Sequence, residues 1–279
     1  MSAPRLFDTE SLALRRARAA GAPADFLLRH VAAELADRLA LIKRRFAAAV
    51  EIEPLSTLIA EAIRPALDGA CISAVIGAGG ALNLPAATFD LAVSGLALQF
   101  SDDLPGVFAQ VRQALKPDGL FLAALVGGAT LQELRQAFAA AEIEVEGGVS
   151  PRVAPFADVR DMGGLLQRAG LALPVTDSET LTVRYDHAFA LMADLRAMGA
   201  TNILAERRKS FSRRTTLLRM AEIYQKRFAD ADGRIRATFE LIWISGWVPH
   251  ESQQKPLQPG SAKARLADAL GVKEHREED

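Results

Sequence analysis

FDLAVSGLALQFSDDLPGVFAQVRQALKPDGLFLAAL, residues 89–125, decides the fold. FDLAVSGLAL (89–98) is a nearly continuous apolar run, too short for a helix of its own and read as a buried strand. DLPGVFAQVRQAL (103–115) places apolar residues at helical spacing, with Asp102 or Asp103 set to cap it and Pro105 in its first turn. KPDG (116–119) has turn chemistry, and LFLAALVG (120–127) is again apolar on both faces. Strand, helix, turn and strand in that order form a crossover unit of a parallel sheet with helices on both faces.

Downstream, TLQELRQAFAAAEIEV predicts a helix in which Thr130 and Glu133 have capping-box spacing. Residues 147–156 form a loop, 158–169 a helix and 178–184 an alternating edge strand. Helices over 186–199 and 214–229 precede an apolar core segment at 239–247. Upstream, residues 10–20 predict a short amphipathic helix. Residues 24–44 predict a longer one through Phe26, Leu27, Val31, Leu35, Leu39 and Ile42, with His30 at the edge of that stripe as a core or boundary histidine. AVEIEPLST (49–57) runs from a strand into a helix at 59–67, and ACISAVIG (70–77) is a second strand before a glycine-rich loop. The division is an N-terminal helical segment (1–45), an α/β core (46–185), a helical appendage with the last core segment (186–253) and a polar tail (254–279) whose end is expected to be flexible.

Composition narrows the function classes. The formal net charge is -1 and charged residues make up 24%, which argues against a nucleic-acid binder. One cysteine, Cys71, permits neither a disulfide framework nor a thiolate zinc site, and reads as a buried thiol. The four histidines, at 30, 187, 250 and 275, lack the close spacing of a helical metal motif, so no metal is expected. No apolar stretch is long enough for a membrane span and the start carries no signal segment, so the expected compartment is the cytoplasm.

The FD-initial strand, its helix and the KPDG turn resemble the central part of class I S-adenosylmethionine (SAM)-dependent methyltransferases. VGGATLQELRQAF (126–138), EGGVSPRVAPFADVRDMGGLLQRAG (146–170), RYDHAFALMADLRAMGATN (184–202) and GWVPHESQQKPLQPGSA (246–262) narrow the resemblance. They are similar to the group that contains a mitochondrial complex I assembly factor acting as an arginine hydroxylase, and to biotin-synthesis-type methyltransferases. The resemblance implies a Rossmann-like sheet, SAM as cofactor and methyl transfer to a small-molecule or protein substrate. Its alternatives are arginine hydroxylation and a non-catalytic assembly role for a respiratory complex.

The chain departs from that pattern where the cofactor should lie. The family's first strand ends in an acid and a turn of the type D-L-G-x-G-x-G; here the place reads Glu51, Ile52, Glu53, Pro54, Leu55, Ser56, Thr57. A turn that lets backbone N–H groups approach a ligand favours glycine, and Pro54 removes one donor. Glu51 to Phe89 is also too short for the usual helix, strand, helix and strand, which need about 60 residues. The sheet is therefore expected to be truncated or irregular near its second strand.

The cofactor candidates are Glu51, Glu53, Ser56, Gln99, Asp102 and Asp103, the aspartates having helix capping as their competing role. For substrate or partner, the resemblance carries over Arg152, Tyr185, Arg196 and His250. Ala129 stands where the group's G-G-D-T-L pattern has an acid. The basic loop ERRKSFSRR (206–214) is either a partner surface or a solvated loop.

Overall fold

The computed structural model describes residues 5–254 and residue 271. Its frame is a six-stranded sheet built around the strands read from residues 89–125. In chain order the elements are α1 (Thr9–Ala19), α2 (Phe26–Ala40), β1 (Ala49–Ile52), α3 (Leu58–Ile63), β2 (Cys71–Ala74), β3 (Phe89–Gly95) and α4 (Leu104–Ala114). They continue with β4 (Leu115–Val126), α5 (Gln132–Glu146), α6 (Val159–Arg168), β5 (Ala172–Tyr185), α7 (Ala188–Ala197), α8 (Arg214–Phe228) and β6 (Ile235–Trp247). The strand order is β2-β1-β3-β4-β6-β5. The strands from β2 through β4 pair in parallel, β6 runs antiparallel to β4, and β5 runs antiparallel to β6.

Every residue of β3 is buried, because helices cover both faces. On one face α2, α3, α5, α7 and α8 pack through Val31, Leu35, Ile59, Phe138, Leu191 and Met220. On the other, α4 and α6 contribute Val107, Phe108, Val111, Met162 and Leu166. Gly95 closes β3, and a Cβ there would lie 2.3 Å from the Ile59 Cδ1, so the glycine lets α3 approach the sheet.

The truncation expected from the short Glu51–Phe89 interval lies at one edge. β2 has four residues and pairs only with β1, leaving Ile72 and Val75 exposed. The alternating strand is the opposite edge, longer than expected at 172–185. KPDG lies within the span of β4 as a bulge. Phe89 pairs with Leu115 and Leu91 with Leu120, so β4 gains residues against its neighbour, with Asp118 left-handed.

The capping box at α5 is corrected. Leu131, at φ 54°, precedes the helix, and no side chain caps it. Thr130 and Glu133 instead bind β6. The Thr130 hydroxyl accepts from the Glu240 N–H at 2.9 Å. Glu133, though buried, accepts from the Thr238 N–H at 3.2 Å and its hydroxyl at 2.5 Å. The spacing was right for a cap, but an antiparallel strand adjacent in space supplied better partners. The Asp102/Asp103 pair divides its work. Asp103 caps α4 by accepting from the Gly106 N–H at 2.8 Å. Asp102 accepts from the Leu6 and Phe7 N–H groups at 3.0 and 3.1 Å, fastening the N-terminal segment over the sheet.

Residues 1–249 group as one unit and 250–279 as another. The tail and the KPLQPGSA part of the group-like motif fall outside the described residues except for positions 254 and 271. Replacing Glu133 by Ala should cost about 2 kcal/mol, because it strands two buried donors of Thr238. Urea denaturation checks this, and a loss below about 0.5 kcal/mol would contradict the buried geometry.

Candidate functional site

The strand order places the reversal of the parallel sheet between β1, whose chain leads outward to β2, and β3, whose chain leads the other way to β4. Ligands of open α/β sheets bind outside the strand ends at such a point. The loops leaving β1, β3 and β4 each carry a left-handed non-glycine residue: Glu53 (φ 55°), Leu96 (φ 54°) and Leu131 (φ 54°). Each costs roughly 1 kcal/mol against an ordinary conformation, so the surrounding packing holds three strained loop entries side by side.

A cavity of about 530 Å³ opens there. The loops after β1 and β3 line it with Pro54, Leu55, Ser56, Leu96, Gln99 and Phe100. Arg16 of α1, Leu28 of α2 and Met198 after α7 close it from the other side. The N-terminal cover is tied down by Asp102 and by the Asp8 N–H, which donates to the Ile203 carbonyl at 2.8 Å. Edge contacts between Phe7 and Phe100 (5.8 Å) and between Phe100 and Phe156 (6.3 Å) continue the cover.

The predicted cofactor residues separate. Ser56 and Gln99 line the cavity. Glu51 is 2% exposed, beneath the first turn of α3, and is not among the lining residues. Burial pushes its carboxyl up to about 7, partly offset by the Ala60 N–H. Glu53 bridges elements. Its carboxylate accepts from the Ile76 N–H beyond β2 at 2.6 Å and from the Arg16 guanidinium at 3.2 Å. Burial lowers the Arg16 pKa, with Glu53 acting in the opposite direction. Asp102 and Asp103 serve the N-terminal segment and α4, as described.

Of the substrate-side candidates in the first unit, Arg152, Tyr185 and Arg196, none is among the residues lining the cavity. Arg152 pairs with buried Glu142 at 2.5 Å, donates to the Ser212 hydroxyl at 2.8 Å and stacks over Phe138. Tyr185 is buried at the end of β5, and burial raises its pKa. Arg196 is exposed in the last turn of α7. His250 lies in the second unit, its Nδ1 2.7 Å from the Ser252 hydroxyl. Part of the basic loop is engaged internally. Arg207 pairs with Asp8 at 2.7 Å and Arg208 with Glu146, so both belong to the internal structure. Lys209, Phe211, Arg213 and Arg214 remain exposed.

Arg16 was missed as a site residue. The signal was present: Leu12, Arg16 and Ala19 share one helical face by their i, i+4, i+7 spacing, so Arg16 points the same way as buried Leu12. Glu240 does not line the cavity, but its carboxylate accepts at 2.7 Å from the N–H of Ala129, the position where the group's pattern has an acid. That contact joins residues 111 positions apart, which no local pattern encodes. Among the described residues, no three His, Cys, Asp or Glu side chains gather as a metal-ligand set. No helix among them is long and apolar enough to cross a membrane.

Comparison with known proteins places this architecture. Residues 30–123 match the family model described as a methyltransferase domain. The human mitochondrial arginine-hydroxylase NDUFAF5 is 36% identical over 263 residues, covering 88% of this chain and 76% of that protein. Its Dictyostelium discoideum counterpart is 45% identical over 186 residues, 66% of this chain and 42% of that one. A malonyl-[acyl-carrier protein] O-methyltransferase of Xylella fastidiosa is 41% identical over 173 residues, 61% of this chain and 56% of that one. The chain thus spans about half the length of several of the relatives it matches. Among solved structures, one described as a methyltransferase from Bacillus halodurans superposes with a TM-score of 0.51 at 12% identity, covering 78% of this chain and 98% of that one. At that identity the likeness establishes the fold.

The raised Glu51 carboxyl has a signed consequence. The folded state holds this proton more tightly than the unfolded chain, so the stabilisation is complete below the ordinary value of 4.5 and is lost as pH rises through about 7. Glu51→Gln should flatten that part of the stability–pH profile and stabilise the protein at pH 8 by about 1–2 kcal/mol. Thermal unfolding of both proteins between about pH 5 and pH 8 checks it; parallel profiles would contradict it.

Proposed function

We infer function from one premise: the chain belongs to the methyltransferase-like family that includes the human arginine hydroxylase NDUFAF5. The family frame makes SAM-dependent methyl transfer the starting point, and the cavity lies where the cofactor of such a frame belongs. We propose that this member has become a binding protein of that frame, an assembly or interaction factor that does not use SAM. The Glu53 carboxylate carries this reading. It is the acid at the reversal point, and it is already engaged by the Ile76 N–H and Arg16.

Three further features support it. Ribose hydroxyls need acceptors that face the cavity, and neither Glu53 nor buried Glu51 is among its lining residues. Pro54 has no N–H to offer, and Leu55 lines the cavity with bulk where a glycine turn would expose backbone. The cationic sulfonium would meet Arg16 and Arg29 among the lining residues, with Asp25 as the only lining carboxylate among the described residues, itself paired to Arg29 at 2.6 Å. The exposed tip carrying Lys209, Phe211, Arg213 and Arg214 is the proposed contact for an acidic protein partner.

A second reading keeps catalysis, as methyl transfer or arginine hydroxylation. The left-handed backbone at Glu53 favours it, since a glycine turn would take that conformation there. Isothermal titration of the full chain with SAM separates the two. The proposal expects no saturable heat up to about 1 mM; a dissociation constant near 10 µM or below would overturn it. As a second arm, replacing Lys209, Arg213 and Arg214 by Glu should abolish co-purification of a respiratory iron–sulfur subunit. Unchanged recovery would exclude the tip as the contact.

A further inference from the structure

The sheet has two open edges, and they are guarded differently. β5 is 14 residues long, but Asp177, Glu179 and Arg184 stand on it and a bulge interrupts it between Ala172 and Val175. Charges and bulges are the devices that keep an edge strand from pairing with another chain. β2 has neither. From Gly69 to Leu84 the sequence holds no charged residue and no proline, and Ile72 and Val75 are 46% and 65% exposed.

The backbone of that edge is open. The Ala70 and Ala74 carbonyls turn inward, accepting from the Ala49 and Glu53 N–H groups at 3.3 and 2.7 Å. The Ile76 N–H also turns inward, to the Glu53 carboxylate. Across a trans peptide the N–H and C=O point opposite ways, so the Cys71 and Val75 N–H groups and the Val75 carbonyl point outward. The alternation of a strand puts Ser73 in the same outward row. Among the described residues, no strand pairs on this side and no backbone group bonds this row.

A second copy of the chain matches this edge. About a two-fold axis at Ser73, antiparallel β2 strands set Cys71 opposite the second copy's Val75, and Ser73 opposite its own counterpart. These are the residues with open N–H and C=O groups, so each facing pair exchanges both bonds. On one face Ile72 lies beside the second copy's Ala74, and on the other Val75 lies beside its Cys71. Apolar side chains meet apolar ones and no like charges face each other. The charged β5 edge offers no such match.

We propose that the chain associates with a second copy through β2, continuing the sheet across that axis. A strand pair this short buries less than the roughly 800 Å² per partner of a standard stable interface, so the association is reversible and concentration-dependent. The Val75–Ile76 peptide then bonds the second copy through its carbonyl and Glu53 through its N–H. The pairing goes beyond the functional reading and is independent of what the cavity holds.

The test is sedimentation velocity of the full chain at about 1 µM and about 200 µM, a range that spans weak association. The unaltered protein should shift from monomer to dimer. Ser73 is exposed and faces its counterpart on the axis. Ser73→Lys and Ser73→Asp should therefore each weaken the dimer about fivefold or more by like-charge repulsion, and an equimolar mixture of the two should restore it. Amide exchange needs no substitution: the Ser73 and Val75 amides of the unaltered protein should exchange more slowly at the higher concentration. Monomer at both concentrations, a dimer that both variants leave intact, or a mixture that stays monomeric would overturn the inference. So would a dimer broken by Val175→Lys, on the opposite edge. None of these outcomes involves SAM, so the functional reading stands or falls separately.

Discussion

The hydrogen bond from the Ile76 N–H to the Glu53 carboxylate is the constraint on which the site depends. It spans the ends of β1 and β2, so it sets how far apart the two strands open. The same carboxylate receives Arg16, which brings α1 against the strand ends. Arg16 in turn lies over the Phe100 ring at 5.8 Å and packs beside Gly199. One carboxylate therefore joins the sheet, the N-terminal helix and the loop after β3. A turn of glycines in its place would offer backbone N–H groups to a ligand but could not make these contacts.

The short interval between Glu51 and Phe89 follows the same logic. β2 is an edge strand of four residues, and α3 is a single short helix followed by one turn of 3-10 helix. This short unit brings Ile76 within reach of Glu53. The glycine-free turn and the short helix–strand unit thus meet in one contact, the Ile76 N–H on the Glu53 carboxylate. Elsewhere the family frame is intact, with helices on both faces of the sheet and an antiparallel β6 inserted beside β4.

The frame was legible because it depends on local apolar patterning. The strand beginning at Phe89 and the helix with Pro105 in its first turn read correctly from spacing, although the strand read to 98 ends at Gly95 and Leu98–Phe100 form a 3-10 turn. The site was less legible because its contacts join distant residues. Gln99 emerged as a candidate from its place after a strand, yet its orphan oxygen follows from a bond to Leu96 and from burial beneath the N-terminal cover. Thr130 and Glu133 carried the spacing of a cap, but β6 claimed both. The arginines of the 206–214 loop looked free in sequence, and two of them answer carboxylates some 199 and 62 residues away.

The central proposal is that the Glu53 carboxylate stays closed on the Ile76 N–H and Arg16 at the edge of the cavity instead of opening to a cofactor. The direct measurement is amide hydrogen exchange at Ile76 in the full chain, alone and with about 1 mM SAM. A closed contact predicts a protected Ile76 amide whose exchange SAM leaves unchanged. Rapid exchange of that amide in the free protein, or a change in its exchange on adding SAM, would contradict the account.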